Sequence, residues 1–245
     1  MVKKGYYVGT SGWNYPHWKK AFYPKNVKKN NWFEFYVENF NTVEVNYTFY
    51  KWPKKEEIDR WYKSSPSGFK MTLKAPQMIT HLKKLKNVED LVKEFYSLSS
   101  RLKDKMGCHL FQLPPNMKFN ENNFEKLKKF VKILDARRDN AIEFRDKSWY
   151  KKEVLDLLEK NKVAFVTVDG LGMPSRFIKI NSSKIMYMRF HGRHYSGDYD
   201  RAKLRRYSKK LKQIRNCKVY VYFNNDVGGY APQNALEMKE LLGLK

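Results

Sequence analysis

Strands and helices alternate along this chain from end to end, and that alternation constrains the fold more tightly than any other feature. The segments Tyr6–Thr10, Thr42–Asn46, Phe69–Lys74, Cys108–Leu113, Asn140–Arg145, Val163–Val168, Ile185–Phe190 and Lys218–Phe223 are short and rich in β-branched and aromatic residues. They predict eight strands. Helices are predicted over Asn31–Phe40, Lys54–Lys63, Val88–Leu102, Glu153–Glu159 and Ala235–Leu242. Two more show in their apolar spacing: Phe124, Leu127, Phe130 and Val131 behind a cap at Asn120, and Leu204, Tyr207, Leu211 and Ile214. After the sixth strand, Gly170, Gly172 and Pro174 predict an irregular unit whose helix is short or missing.

Such alternation demands parallel strands joined by crossovers. Eight units in 245 residues match a (β/α)8 TIM-type barrel, for which about 250 residues is usual. A doubly wound open sheet is the competitor. It calls for a glycine-rich loop at a switch point, and Gly9-Thr10-Ser11-Gly12 lacks the spacing. With no internal repeat or linker in view, one barrel domain over residues 1–245 is expected.

In a barrel the chemistry sits at the carboxyl ends of the strands. Unusual polar residues gather at those ends: Ser11 and Trp13 after the first, Glu44 and Asn46 on the second, Lys74 on the third and Gln112 on the fourth. Glu143 and Arg145 follow on the fifth, Asp169 after the sixth, Arg189 and His191 on the seventh, and Asn224 and Asn225 after the eighth. Any one of them is most simply a solvated loop residue or a satisfied core partner, and Glu143 with Arg145 or Arg189 fits a buried structural pair. Eight strands each delivering one predict a polar, ligand-binding mouth.

Within that ring, Glu44, Glu143 and Asp169 are the candidate acids and bases, with His191 completing proton transfer. Lys74, Arg145 and Arg189 are suited to hold phosphate or carboxylate oxygens. Asn46, Gln112, Asn224 and Asn225 would orient a polar ligand, and Trp13 and Tyr47 would provide a stacking wall. No metal or other cofactor is expected: paired histidine motifs are missing and three cations in the ring oppose a fourth. Ser11 has no adjacent base and Gly-x-Ser-x-Gly is absent, which argues against a serine nucleophile.

Composition adds partners and setting. Hydrophobic residues make up 42% and aromatic residues 16%, enough for a core and too many for disorder. Fifty Lys and Arg against 25 Asp and Glu give a net charge of +25, a field that favours an anionic small molecule or nucleic acid. From Arg201 to Lys218 there are nine basic residues and no acid, either a solvated helix face or a polyanion contact. The aromatic run Trp13, Tyr15, His17, Trp18, Phe22 and Tyr23 forms either a self-packed lid or a surface for bases or sugars. Two cysteines are too few for a disulfide framework. No stretch reaches the roughly 20 apolar residues of a membrane span, and the start lacks a signal-peptide pattern. A soluble, cytoplasmic setting is therefore expected.

Several of these motifs fall in the order of a known family. Gly9-Thr10-Ser11-Gly12-Trp13 with Tyr15, Trp18 and Phe22-Tyr23-Pro24 resembles the opening of the YecE-like family (domain of unknown function 72). So do Thr42-Val43-Glu44-Val45-Asn46 with Thr48-Phe49-Tyr50, and Lys74-Ala75-Pro76 with Thr80-His81. Phe111-Gln112-Leu113-Pro114-Pro115, Glu143-Phe144-Arg145 with Ser148-Trp149, Arg189-Phe190-His191-Gly192 and Phe223-Asn224-Asn225 complete the match. Asp146 stands where many members have histidine, and Tyr47 where many have serine. The resemblance implies a TIM-type barrel, similar to those of metal-dependent sugar isomerases and an apurinic endonuclease, and no assigned activity. The histidine-rich ligand set of those metal enzymes is missing here. The sequence-level expectation is an enzyme using general acid/base chemistry on a phosphorylated or anionic substrate. Its rival is a non-catalytic nucleic-acid-binding or scaffold protein using the basic surface.

Overall fold

A computed structural model describes residues 5–244. Eight strands are present: β1 Gly5–Thr10, β2 Thr42–Val45, β3 Lys70–Lys74, β4 Met106–Gln112, β5 Asn140–Glu143, β6 Ala164–Gly170, β7 Ile185–Gly192 and β8 Lys218–Phe223. They stand side by side in chain order, with β8 returning to β1, and every ladder is parallel. This is the expected TIM-type barrel.

The barrel closes by an unusual seam. Between β1 and β2 the described residues make one bridge, Ser11 with Glu44, and a Gly12 N–H donates to the Glu44 carbonyl at 2.8 Å. Side chains supply the rest. The Tyr36 hydroxyl accepts from the Thr10 N–H at 2.9 Å and donates to the Thr42 carbonyl at 3.0 Å. Asn41 accepts from the Val8 N–H at 3.1 Å and donates to the Tyr6 carbonyl at 2.8 Å. These bonds satisfy backbone groups that a ladder would otherwise pair. Gly9 permits the approach, because a Cβ there would lie 2.2 Å from the Thr42 carbonyl oxygen.

Around the barrel run α1 Trp32–Asn39, α2 Tyr47–Tyr50, α3 Lys55–Ser64, α4 Glu89–Ser99, α5 Glu121–Ile133, α6 Lys152–Lys160, α7 Arg201–Gln213 and α8 Tyr230–Leu242. Asn120 caps α5 as its sequence predicts, accepting from the Asn123 N–H at 2.8 Å. Helix α8 begins five residues before the predicted Ala235, since Pro232 sits in its first turn, where no amide hydrogen is needed. Among the described residues no helix forms between β6 and β7, as the glycine-rich segment implies. The single turn α2 has no apolar period long enough to announce itself.

The period-two alternation of the strands divides the core. Cys108, Leu110, Val166, Val168, Tyr187, Tyr220 and Tyr222 fill the barrel interior. Phe111, Leu127, Trp149, Phe165, Met188 and Leu204 belong to the layer between strands and helices. Both cysteines are buried. No helix among the described residues is long and apolar enough to cross a membrane.

Candidate functional site

Strand phase decides which polar residues reach the mouth. Residues sharing the inward phase with the interior cluster are Glu44, Lys74, Gln112, Glu143, Arg189, His191 and, past the strand ends, Ser11, Asn46, Arg145 and Asn224. Two predicted members lie out of phase. Val166 and Val168 point inward, so Asp169 turns outward. There it accepts from Lys203 Nζ at 2.8 Å and the Tyr207 hydroxyl at 2.5 Å. Burial alone would raise its pKa, and these hydrogen bonds outweigh that and hold it below the usual range. Asn225 likewise turns away: its amide donates to the Gly197 carbonyl at 2.9 Å and to Asn234 Oδ1 at 2.8 Å. Asp169, expected among the catalytic residues, and Asn225, expected among the ligand-orienting ones, thus face away from the mouth. Asp169 ties β6 to α7, and Asn225 ties the end of β8 to Gly197 and α8.

The inward residues converge on a buried ionic network. Arg189 is its hub, 1% exposed. Nη2 donates to Glu44 Oε1 at 2.5 Å, and Nη1 donates to Glu143 Oε2. Glu44 also accepts from Ser11 Oγ at 2.6 Å and from the Tyr187 hydroxyl at 2.5 Å. Glu143 Oε1 accepts from Arg145 Nη1 at 2.9 Å and lies 3.2 Å from His191 Nε2. Burial pushes Glu143 up, but Arg189 first, then Arg145 and His191, hold it well below the ordinary carboxylate range. The same two carboxylates overcome burial and raise Arg189.

His191 is completely buried. Burial, then Arg189, lowers its pKa to about 4, so the ring is neutral at physiological pH. Its Nδ1 lies 3.1 Å from the Asn224 amide nitrogen. Nδ1 thus accepts from Asn224 while Nε2–H donates to Glu143, a tautomer fixed by its two neighbours. Glu44, Glu143 and His191 come together as predicted, yet each is wrapped in partners. The guanidinium of Arg189, expected to grip an anion, is committed to protein carboxylates. These four form a rigid floor beneath the mouth.

Two cations differ from the rest. Arg145 is about 10% exposed at its side chain. It donates to Glu143, lies 3.4 Å from Gln112 Oε1, and reaches the Tyr195 hydroxyl. Lys74 is 8% exposed, with its Nζ 4.0 Å from the centre of the Phe49 ring. No hydrogen-bond acceptor or ion-pair partner contacts that ammonium among the described residues. Burial, reinforced by the Arg189 charge, lowers its pKa to about 8. Near it, His81 is lowered to about 4 by burial and by Lys74.

Beside the mouth lies a cavity of about 430 Å³, lined by Trp13, Tyr15, Asn46, Tyr47, Tyr50, Glu57 and Trp61 among others. Trp13 and Tyr47, the predicted stacking wall, each meet Trp61 edge-on, with ring centres 6.3 and 6.2 Å away. The other aromatics of the first loop mostly pack on one another: Trp18 lies against Phe22 at 5.7 Å, and Tyr23 stacks on Trp32 at 4.7 Å. Among the described residues no group of three His, Cys, Asp or Glu side chains is placed to hold a metal ion.

Sequence reasoning missed Tyr187 as the clamp on Glu44, Tyr195 over Arg145, and Tyr50, Glu57 and Trp61 in the cavity wall. Tyr187 carried a usable signal, since it stands two residues before Arg189 and so shares its phase. The others come from loops and outer helices, where no strand periodicity marks a direction.

Eight parallel strands, an ionic floor and a cationic rim at their carboxyl ends define a TIM-type barrel protein. The chain belongs to the family described as "Protein of unknown function DUF72", which matches residues 7–245. It is similar to the UPF0759 protein YunF of Bacillus subtilis (strain 168), with 26% identity over 98% of this chain and 95% of that one. It is also similar to the UPF0759 protein YecE of Escherichia coli (strain K12), 30% identical over 60% of this chain and 50% of that one. A solved DUF72 family protein from Thermotoga maritima MSB8 superposes with a TM-score of 0.88 at 29% identity, covering 97% of this chain and 99% of that one. The resemblance seen in the motifs is thereby borne out.

Proposed function

We propose that this chain is an enzyme whose barrel mouth binds an anionic, phosphate- or carboxylate-bearing substrate on Arg145 and Lys74, with Lys74 as the proton-transferring group. One observation carries the reading: the ammonium of Lys74 is almost buried and has no acceptor among the described residues. A buried ammonium without a hydrogen-bonded carboxylate is costly, and the Phe49 ring with the more distant Glu143 and Glu44 offsets only part of that cost. The inward cluster holds three cations, Lys74, Arg145 and Arg189, against two carboxylates, Glu44 and Glu143. A bound anion supplies the missing negative charge.

The proton chemistry follows from the same residue. A lysine lowered to about 8 exchanges its proton near neutral pH, the range in which general acids and bases work best. Glu143 and Glu44 then serve by fixing Arg145 and Arg189 in place, and His191 by fixing Glu143. Gln112 accepts from Arg145, and Asn224 donates to His191 Nδ1, so both support the cluster. Calorimetric titration with inorganic phosphate tests this. Lys74→Met and Arg145→Gln are each expected to weaken binding at least tenfold. Unchanged affinity in both variants would remove the basis for the assignment.

The second reading, a nucleic-acid-binding or scaffold role, is favoured by the outer face of α7. Arg201 is satisfied by Glu237 and Glu240, and Lys203 by Asp169. Arg205, Arg206 and Lys209 meet no carboxylate among the described residues, leaving a cationic face for a polyanion.

A further inference from the structure

We infer that the cavity beside the mouth is a binding site for an amino-bearing nucleobase, so that the substrate class of the proposed active site is a small nucleotide. The inference rests on that reading for the phosphate end alone; the base end stands on its own observations. Trp61 forms a floor on which Trp13 and Tyr47 both stand edge-on at 90° and 88°. Tyr50 completes the wall and is 73% exposed, an open aromatic face at the rim. A planar ring entering here meets aromatic surface on several sides, and any base presents a π-face that stacks on such rings.

The polar groups of the wall select what kind of ring. Asn46 Oδ1 is buried and has no hydrogen-bond partner. Leaving an acceptor unpaired in this way is costly, and an N–H of a ligand would satisfy it. Glu57 adds two more acceptor oxygens, engaged by the Tyr47 hydroxyl at 2.9 Å and the Lys54 N–H at 2.8 Å. Acceptors in an aromatic slot fit the exocyclic amine of adenine or cytosine.

The cavity and the cationic rim flank one element. Within α2, Tyr50 faces the cavity while its neighbour Phe49 lies under Lys74 Nζ, and the two rings meet at 4.9 Å. The Thr48 hydroxyl donates to the Lys74 carbonyl at 2.6 Å and also contacts the Val45 carbonyl at 3.1 Å, tying α2 to the ends of β2 and β3. A ligand with a flat amino-bearing ring and an anionic group fits the two neighbouring environments.

Tryptophan fluorescence tests the base site directly, with adenosine, cytidine, purine riboside and cellobiose as probes. Adenosine and cytidine are expected to quench saturably, purine riboside about tenfold more weakly because it lacks the amine, and cellobiose not at all. Tyr50→Ala is expected to weaken adenosine about tenfold with inorganic phosphate binding unchanged. Asn46→Leu is expected to erase the preference for adenosine over purine riboside. Failure of both nucleosides to bind at 10-millimolar concentration (~10 mM, far above a stacking-driven site), equal binding in Tyr50→Ala, or saturable binding of cellobiose overturns the inference. Phosphate affinity, read separately in Lys74→Met and Arg145→Gln, reports on the anion site whatever the nucleosides do.

Discussion

Lys74 and Arg189 are both cations in one buried cluster, and their partners give them opposite energetics. Arg189 has two carboxylates, so Arg189→Met strands two buried negative charges and is expected to cost about 3–5 kcal/mol in urea unfolding. Lys74 has no such partner. Its proton is held less tightly in the folded chain than in the unfolded one, so between about pH 8 and the ordinary lysine range the unfolded chain carries the extra proton. Stability from this residue therefore rises with pH across that window. Lys74→Met is expected to flatten that slope and to raise stability at pH 7 by about 3 kcal/mol, a gain accompanied by lost anion binding. Sulfate, which does not titrate here, isolates the lysine in binding. Its affinity is expected to hold below about pH 8 and to fall as the ammonium loses its proton above it. A sulfate affinity that stays level from pH 6 to 10 (a span of roughly four units around the expected transition) goes against the assignment.

At the scale of elements, the barrel depends on a seam that no strand ladder holds among the described residues. Tyr36→Phe removes the hydroxyl that serves both Thr10 and Thr42. It is expected to cost about 1–3 kcal/mol and to speed hydrogen exchange at Thr10 more than at Val221 in β8. Uniform exchange across both strands would show that the backbone closes the seam unaided. This scale also separates what the sequence disclosed from what it hid. Strand order, the missing helix after β6 and the convergence of Glu44, Glu143, Arg145, Arg189 and His191 follow from alternation and a period of two, both visible in residue spacing. Asp169 and Asn225 face away from the mouth because each lies one residue beyond an inward position, and one residue reverses the face. Nothing in the spacing reveals that Arg189 is paired with two carboxylates while Lys74 meets only the Phe49 ring, since partner choice depends on how the ring closes in three dimensions. Tyr36 and Asn41 are equally silent in sequence: they act across the seam from a helix and a loop.

At the scale of the whole molecule, a net charge of +25 places every anion in a favourable field, and the specific site must be told apart from it. Single-stranded DNA binding is expected to weaken steeply with salt and to survive Lys74→Met. Combined Arg205→Glu, Arg206→Glu and Lys209→Glu substitutions on α7 are expected to lower the slope of log affinity against log salt by about three. An unchanged slope would locate the polyanion contact elsewhere. Phosphate at the mouth should show the reverse pattern, indifferent to the α7 substitutions and sensitive to the rim. The most direct measurement is the titration of Lys74 itself, followed by NMR in protein labelled at the lysine side chains and assigned by loss of the resonance in Lys74→Met. The bare buried ammonium should titrate near pH 8 and move upward when phosphate is added. A midpoint near the ordinary lysine value of about 10.4, or one that phosphate leaves in place, would contradict an anion site built on this residue.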